Sequence, residues 1–319
     1  MKKVLLAGGA GYIGTLLTTE LVAKNYDVEI VDLLWFGNKI REDVKVHNKS
    51  ILDLRTSDLE SFDVVVFLAG LSNDPMANYN PPMNFIENSA VPSYLAFISK
   101  EAGVKRFVYA STCSVYGYTA NNLMDETAKV EPQYPYGISK LAAEQSIINL
   151  TNDSFRPIAL RKGTVGGYSP RMRFDLVVNA MTKTALSEGK IIVNNPAIWR
   201  PLVDIRDVVS AYVRSVEADL SVSGVYNILE ENYTIGRLAD EIKLTLESQG
   251  HQATVETKNI QDVRNYKVSG EKARMELDFK PRFTPADTVM SILNNIDKIL
   301  NDLVDKMNTA LGSLKRLER

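Results

Sequence analysis

Short apolar runs alternate with longer segments of mixed polarity through the first half of the chain. The apolar runs have the length of buried parallel strands, and the longer segments have the length and periodicity of amphipathic helices. This alternation predicts an α/β protein with a doubly wound parallel sheet and a ligand at the carboxyl ends of its strands. We predict strands near residues 4–7, 27–31, 44–47, 63–70, 104–110 and 155–161, and helices near residues 12–24, 82–103 and 135–150.

Beyond residue 162 the alternation becomes less regular and the segments become shorter. Loops there are rich in Gly, Pro and Asn, as at residues 166–170 and 194–196, and no flexible linker precedes them. We therefore predict a sheet domain at residues 1–162 and a smaller C-terminal lobe at residues 163–319, interleaved with the first across an approximate boundary. Helices are predicted in this lobe near residues 205–217, 235–248 and 285–311.

Composition narrows the class of protein. The 319 residues are 45% hydrophobic and 24% charged, which is typical of a globular chain. A formal net charge of −2 gives no basic field for nucleic acid or an anionic membrane, and no apolar stretch is long enough to span a bilayer. Cys113 is the only cysteine, and His47 and His251 are the only histidines, so we expect no intrachain disulfide and no metal centre. These observations predict a cytoplasmic protein.

A glycine cluster joins the first predicted strand to the first predicted helix. Gly8, Gly11 and Gly14 are spaced three apart, which allows a tight turn and the close approach of a pyrophosphate to the helix N-terminus. Asp32 ends the second strand, where a carboxylate binds the ribose of NAD and repels the 2′-phosphate of NADP. The context indicates a Rossmann-type NAD site, whose turn also includes Tyr12 and Ile13.

Three later segments extend this cofactor site. Leu68, Ala69 and Gly70 end the clearest buried strand, and their small side chains let a ligand approach. Asp53 can accept a hydrogen bond from the adenine amino group, although an aspartate in a loop is more often a helix cap. The apolar loop at residues 33–38 can cover the adenosine, or it can be a buried surface loop.

A tyrosine and a lysine lie four residues apart on one predicted helix face. Tyr136 and Lys140 follow Thr112, which comes just past the end of a strand. A phenol is a poor base at neutral pH, but a nearby ammonium stabilises the phenolate and lowers its pKa. We predict that Tyr136 exchanges a proton with the substrate during hydride transfer, that Thr112 holds the substrate oxygen, and that Lys140 also contacts the nicotinamide ribose.

These motifs together resemble the extended short-chain dehydrogenase/reductases, specifically the sugar-nucleotide epimerase/dehydratase group. The resemblance covers nearly the whole chain and includes Asn88 as a cofactor contact. It implies NAD(P), a nucleoside-diphosphate sugar substrate, and a homodimer that forms through two helices per subunit. Arg200 resembles the family's phosphate-binding arginine, and Arg264 resembles a second one.

Two departures from the family pattern matter. Cys113 and Ser114 stand where the 4,6-dehydratase branch has an Asp-Glu pair, and neither is a usable acid or base at neutral pH. The segment at residues 161–163 lacks the asparagine that often follows the sixth-strand arginine, which puts the usual substrate-phosphate contact in doubt. Arg171 and Arg173 can compensate by binding diphosphate, or they can form a solvated surface pair. The expected substrate contacts are Asn73, Ser114, Arg171, Arg173, Arg200 and Arg264.

The leading hypothesis is an NAD-dependent enzyme that acts on C4 of a nucleotide-linked sugar. Epimerisation, 4-oxidation and reduction of a 4-keto sugar share this machinery, and the sequence leaves these alternatives open. A non-catalytic dinucleotide-binding regulator would not need Thr112, Tyr136 and Lys140 together. An RNA-binding or chaperone-like role is disfavoured by the near-neutral charge.

Overall fold

The computed structural model of the chain describes residues 1–119, 122–258 and 265–303. Its strands, in chain order, are β1 Lys3–Ala7, β2 Asp27–Asp32, β3 Lys45–Asn48, β4 Val64–Phe67, β5 Arg106–Thr112, β6 Leu123–Met124, β7 Arg156–Lys162, β8 Thr164–Gly166, β9 Lys190–Asn194, β10 Trp199–Asp204, β11 Gly224–Ile228, β12 Glu231–Thr234, β13 Thr254–Lys258 and β14 Lys267–Val268.

The α-helices are α1 Tyr12–Ala23, α2 Thr56–Leu59, α3 Asp74–Tyr79, α4 Pro81–Phe85, α5 Val91–Glu101, α6 Pro135–Ile148, α7 Val177–Glu188, α8 Ile205–Glu217, α9 Ile235–Ser248, α10 Glu271–Glu276 and α11 Pro285–Leu293. Two 3-10 turns lie at Ile51–Asp53 and Cys113–Tyr116, and a π-helical turn lies at Ile86–Ala90.

The central sheet has seven parallel strands in the order β11-β7-β5-β4-β1-β2-β3. Apolar residues of α1 and α8 pack on one face, and those of α5 and α6 pack on the other. The predicted doubly wound parallel sheet is therefore confirmed. Strand order reverses between β1 and β4, and such a switch point opens a crevice for a ligand at the carboxyl ends of the strands.

The seventh strand and one covering helix come from beyond residue 162. Strand β11 pairs with β7 along its whole length, and α8 packs against α1. The chain thus returns to the sheet after it has entered the smaller lobe. That lobe consists of the β12-β10-β8 sheet and the β13-β9 pair, with α7, α9 and α11 around a separate apolar core.

Two predicted helices are interrupted in the structure. The segment predicted as one helix at residues 82–103 contains α4, the π-helical turn and α5, and the loop before it contains α3, whose N-cap is Asn73. The helix predicted at residues 285–311 stops at Leu293 and resumes at residue 296, and its end lies outside the described residues. The Asn294-Asn295 pair explains this break, because asparagine favours local backbone hydrogen bonds over helix.

Candidate active site

A cavity of about 860 Å³ lies where the carboxyl ends of the sheet strands face the smaller lobe. This volume is within the usual range of ligand-binding pockets. One end is lined by the glycine turn and Asp32, and the other contains Thr112, Tyr136 and Lys140. The cavity thus brings together residues that are more than a hundred positions apart in the chain.

The glycine turn has the backbone that a dinucleotide site needs. Gly8 has φ +84°, and a Cβ there would lie 2.4 Å from the Ala69 backbone nitrogen, so β1 and β4 approach too closely for a side chain. A Cβ at Gly14 would lie 2.3 Å from the Gly9 carbonyl oxygen, so α1 packs tightly on the turn. Gly11 is the N-cap of α1 and provides no side-chain cap, which leaves the first helical N–H groups to an anion.

Asp32, at the end of β2, lies next to the glycine turn. Its carboxylate accepts hydrogen bonds from the backbone N–H of Ala10 at 3.0 Å and of Leu34 at 2.8 Å, and it lines the cavity. Trp35 and Phe36 line the cavity beside it, in agreement with an adenosine-covering role for this loop. The residues at this end fit a dinucleotide whose pyrophosphate lies on the turn and whose ribose faces Asp32.

The other predicted cofactor residues divide into those at the cavity and those away from it. Leu68, Ala69, Gly70, Ile13 and Asn88 line the cavity. Tyr12 also lines it, but its hydroxyl donates to the Gly167 carbonyl at 2.6 Å and so ties α1 to the smaller lobe.

Asp53 is exposed at the end of a 3-10 turn, while Ser50 and Ile51 of the same segment line the cavity. Asp53 itself does not line the cavity, and its contact with adenine stays a prediction.

Thr112 and Tyr136 meet at the reactive end of the cavity. Thr112 is the last residue of β5, and its hydroxyl lies within hydrogen-bonding reach of the Tyr136 side chain. Tyr136 is in the first turn of α6, and Lys140 lies one turn further along the same helix. The ion pair and hydrogen bonds of Glu144 with Arg161 and Ser111 anchor α6 to β5 and β7 just behind these residues.

The pKa of Tyr136 is raised in the structure, whereas the sequence predicts that Lys140 lowers it. Burial raises the pKa of Tyr136 to about 12, while the neighbouring Arg173 and Thr112 act in the opposite direction. The Lys140 amine instead lies 4.3 Å from the centroid of the Tyr109 ring, and burial together with Lys162 lowers the pKa of Lys140 well below its usual value. In the protein alone, desolvation of the Tyr136 phenol therefore outweighs the charge of Arg173 and the hydrogen bond of Thr112.

Lys162 is a cavity residue that sequence reasoning missed. It is the last residue of β7 and lies in register with Thr112 of β5. Its amine donates to the Ser111 carbonyl at 2.9 Å and to the Tyr212 hydroxyl at 3.2 Å. The sequence did contain a signal for this residue, since Lys162 directly follows the predicted strand at residues 155–161. The carboxyl ends of adjacent parallel strands meet at one edge of a sheet, so Lys162 could be expected near Thr112. Burial lowers the pKa of Lys162 to about 7.

The expected substrate residues occupy two parts of the cavity. Asn73 and Arg173 both bind Asp175, at 2.8 Å and 2.5 Å, and so bridge the start of α3 to the smaller lobe. Burial alone would raise the pKa of Asp175, but its bonds to Arg173 and Asn73 lower it to about 2. Ser114 follows Thr112 in the 3-10 turn and also lines the cavity.

Arg171 is placed away from the expected substrate side. Its guanidinium lies 3.9 Å from the centroid of the Phe36 ring, and the Asp32 carboxylate is near enough to act on its pKa, which burial and Arg173 lower. This arrangement puts Arg171 at the adenosine end of the cavity. It is neither a solvated surface residue nor a neighbour of the reactive residues.

Arg200 is a buried cavity residue of the smaller lobe. It is 8% exposed, donates to the Trp199 carbonyl at 3.1 Å and lies 5.3 Å from the centroid of the Tyr266 ring. Tyr266 lines the cavity as well and was not predicted. Arg264, the second predicted phosphate contact, lies outside the described residues.

Within residues 1–119, 122–258 and 265–303, no group of three or more His, Cys, Asp or Glu side chains is arranged to hold a metal ion. In the same ranges, no helix combines the length and the apolar character needed to cross a membrane.

The chain is similar to known proteins over most of its length. Residues 4–228 match the model of the NAD dependent epimerase/dehydratase family. The chain is 26% identical over 268 residues to a probable UDP-arabinose 4-epimerase 3 of Oryza sativa subsp. japonica, covering 70% of this chain and 64% of the relative. It is 29% identical to a UDP-glucose 4-epimerase of Rhizobium leguminosarum bv. trifolii, covering 51% of this chain and 52% of that relative. The chain thus spans between about half and two thirds of these relatives.

Solved structures share the whole fold. The structure of MoeE5 in complex with UDP-glucose and NAD superposes with a TM-score of 0.80 at 26% identity, covering 93% of this chain and 99% of that one. The UDP-glucose 4-epimerase of Thermotoga maritima superposes with a TM-score of 0.82 at 24% identity, with the same coverage. With the glycine turn, Asp32, Thr112, Tyr136 and Lys140 around one cavity, the chain belongs to the NAD-dependent epimerase/dehydratase family of enzymes.

Proposed function

We propose that the protein is an NAD-dependent 4-epimerase of a nucleoside-diphosphate sugar, with a UDP-sugar as the first candidate substrate. The observation that carries this proposal is the single cavity that joins the dinucleotide turn to Thr112, Tyr136 and Lys140. The similarity to UDP-sugar 4-epimerases and to a structure that holds UDP-glucose and NAD supports the choice of substrate.

The proposed mechanism uses Tyr136 as the group that moves a proton. NAD, when bound, supplies a hydride acceptor that can return the hydride. The phenol oxygen of Tyr136 takes the proton of the sugar 4-hydroxyl as C4 is oxidised and returns it when C4 is reduced. Thr112 holds the same sugar oxygen by a hydrogen bond. Because burial raises the pKa of Tyr136, the positive charges near it must offset desolvation for the phenolate to form.

Loss of water from the sugar is not part of this proposal. The Cys113 thiol is buried and donates to the Arg161 carbonyl at 3.1 Å, and burial raises the pKa of the thiol. Ser114 carries a hydroxyl that does not titrate near neutral pH. The two positions that bear an acid and a base in the 4,6-dehydratase branch therefore have no proton carrier here.

The test is product analysis after incubation with a panel of nucleotide sugars, with and without added NAD. An epimerase gives an isomer of unchanged mass and no net NADH. Accumulation of NADH with a 4-keto product would instead identify a 4-dehydrogenase, and a requirement for NADH and a 4-keto sugar would identify a reductase. A product lighter by one water would contradict the proposal directly.

We further infer a homodimer that forms through the outer surfaces of α5 and α6. These helices pack against each other, and their segment carries large exposed apolar side chains. Phe97 is 53% exposed and Ile86 is 49% exposed, and Phe85 and Ile138 are also exposed. Large apolar side chains left exposed on neighbouring helices are typical of subunit interfaces. A cytoplasmic location, and the lack of nucleic-acid or membrane partners, stay predictions.

A further inference from the structure

Lys162 is a second lysine at the reactive end of the cavity, and the proposed mechanism does not use it. Its register with Thr112 places the two residues side by side at the ends of adjacent strands, and both line the cavity. Lys140 lies close enough for Lys162 to lower its pKa. Two amines therefore act on the same small volume in which Thr112 and Tyr136 meet.

The surroundings of Lys162 offer hydrogen bonds but no counter-ion. From β5 it binds the Ser111 carbonyl, and from α8 it binds the Tyr212 hydroxyl. Lys140 on α6 and the Cys113 thiol are the other titratable groups that act on it or respond to it, and burial keeps that thiol protonated. Within the described residues, no carboxylate forms an ion pair with Lys162.

We propose that Lys162 is a second cationic residue at the hydride-transfer end of the NAD site, and that its charge favours reduced over oxidised cofactor. The oxidised nicotinamide ring is positively charged and the reduced ring is neutral, so a nearby ammonium disfavours the oxidised form selectively. The inference rests on the proposed function, because that function places the reacting ring beside Thr112, Tyr136 and Lys140.

The sign of the pH dependence follows from the state of the amine. Below about pH 7 the Lys162 amine is protonated and repels the oxidised ring, so NADH binds with a greater advantage over NAD⁺. Above that pH the amine is neutral, and the advantage falls because NAD⁺ binds more tightly. The adenosine and pyrophosphate parts are common to both cofactors and cancel in the ratio of dissociation constants.

The experiment measures the dissociation constants of NAD⁺ and NADH by calorimetry, between about pH 6 and pH 9, on full-length protein freed of bound cofactor. For the wild type we expect the preference for NADH to fall by roughly ten-fold across this range. In Lys162→Met the preference should be weak and independent of pH. Lys162→Gln keeps a hydrogen-bond donor for Ser111, and it should behave the same way even if the Met variant folds poorly.

Lys49→Met is the matched control, because Lys49 lines the same cavity beside Ser50 and Ile51 at its adenosine end. Loss of the Lys49 amine should change the affinities for NAD⁺ and NADH by the same factor, so that their ratio stays the same. A wild-type ratio and pH profile in both Lys162 variants would overturn the inference. So would a pH dependence that persists in Lys162→Met and disappears in Lys140→Met, since the titrating amine would then be Lys140.

These measurements distinguish an error in the proposed epimerase function from an error in the proposed role of Lys162. If the ratio shifts as expected but no nucleotide sugar is epimerised, the proposed reaction is wrong and the role of Lys162 stands. If epimerisation is observed but the ratio does not respond to Lys162, only the inference is wrong.

Discussion

At the residue scale, the Tyr136 phenol lies in surroundings that oppose its expected chemistry. Burial raises its pKa, and the lysine four residues along the helix faces the Tyr109 ring. Spacing along a helix predicted that Tyr136 and Lys140 share a face, and both do line the cavity. Spacing could not predict the balance of desolvation against charge, because that balance depends on residues such as Arg173 that come from another lobe.

Replacing Tyr136 by phenylalanine tests its role as proton carrier. We expect Tyr136→Phe to lower kcat by roughly 100-fold to 10,000-fold, the usual contribution of a positioned acid–base group. NAD affinity should change little because the ring still packs. Turnover assays and NAD titration measure the two effects. Near-normal turnover in this variant would show that another group moves the proton.

Asp32 predicts the choice of cofactor. Its carboxylate is held by two backbone N–H groups, so it cannot turn away from a 2′-phosphate without losing both bonds. We expect NAD to bind more tightly than NADP by about 2 kcal/mol or more, the scale of an uncompensated like charge. Asp32→Ala should narrow the gap, as measured by titration with both cofactors. Equal affinities in the wild type would contradict the prediction.

At the element scale, α6 is the helix on which the site depends. Glu144, two turns beyond Tyr136, is 2% exposed and binds both Arg161 of β7 and Ser111 of β5. Asn84 also bonds to Ser139 of this helix. The helix was predictable from its apolar periodicity, whereas its attachments were not, because they join residues that lie far apart in the chain.

Loss of the Glu144 carboxylate should destabilise the fold. Glu144→Ala leaves the Arg161 guanidinium buried without its partner, and breaking such a pair typically costs roughly 3–5 kcal/mol. Urea unfolding measures the change. Glu101→Ala, at an exposed glutamate that ends α5, is the control and should alter stability by less than about 0.5 kcal/mol. A similar small change in Glu144→Ala would show that the pair contributes little.

The π-helical turn marks a limit of sequence patterns. Asn88 lies in it, bonds to the Leu71 carbonyl and to Asn84, and would meet a side chain at Gly70 at 2.1 Å from its amide oxygen. The apolar pattern at residues 82–103 is continuous enough to predict one helix. The extra residue of a π turn changes the backbone hydrogen bonding but does not interrupt the apolar pattern. The π turn is therefore evident only in the structure.

At the scale of the whole molecule, the cavity is lined by both the sheet and the smaller lobe. Arg200 reaches the cavity from β10, while the glycine turn and Tyr136 belong to the sheet side. The smaller lobe was predicted only from a loss of regularity in the sequence. Its short strands pair with partners that are distant in the chain, such as β9 with β13, and local sequence patterns do not indicate such pairing.

Arg200 tests which lobe holds the substrate's diphosphate. We expect Arg200→Ala to raise KM for the sugar nucleotide about ten-fold or more, because a charged hydrogen bond typically contributes roughly 1.5–3 kcal/mol. NAD affinity should be unaffected, and kcat should change less than KM because the contact forms in the ground state as well. Steady-state kinetics measure KM and kcat, and titration with NAD measures the cofactor affinity. Weaker NAD binding with an unchanged KM would reverse the assignment of the lobes.

The proposed dimer is tested at Phe97. Phe97→Glu places a charge on the exposed α5 surface and should convert the dimer to a monomer in sedimentation experiments. Leu244→Glu, on α9 of the smaller lobe, is the control, because Leu244 is 66% exposed but lies away from α5 and α6. Dissociation by the Leu244 variant alone would move the interface to the other lobe, and a wild-type monomer would contradict the dimer itself.

The late arrival of β11 has a consequence for synthesis on the ribosome. When β7 has emerged, the glycine turn and Tyr136 are already present, but β7 is an open edge and α8 does not yet cover its face of the sheet. At roughly 5–20 residues per second, the interval from the end of β7 to the end of β11 lasts about 3 to 13 seconds. For that time the nascent chain exposes an unpaired strand and apolar surface, the features that chaperones recognise. We therefore expect the nascent chain to need protection until residue 228 has emerged.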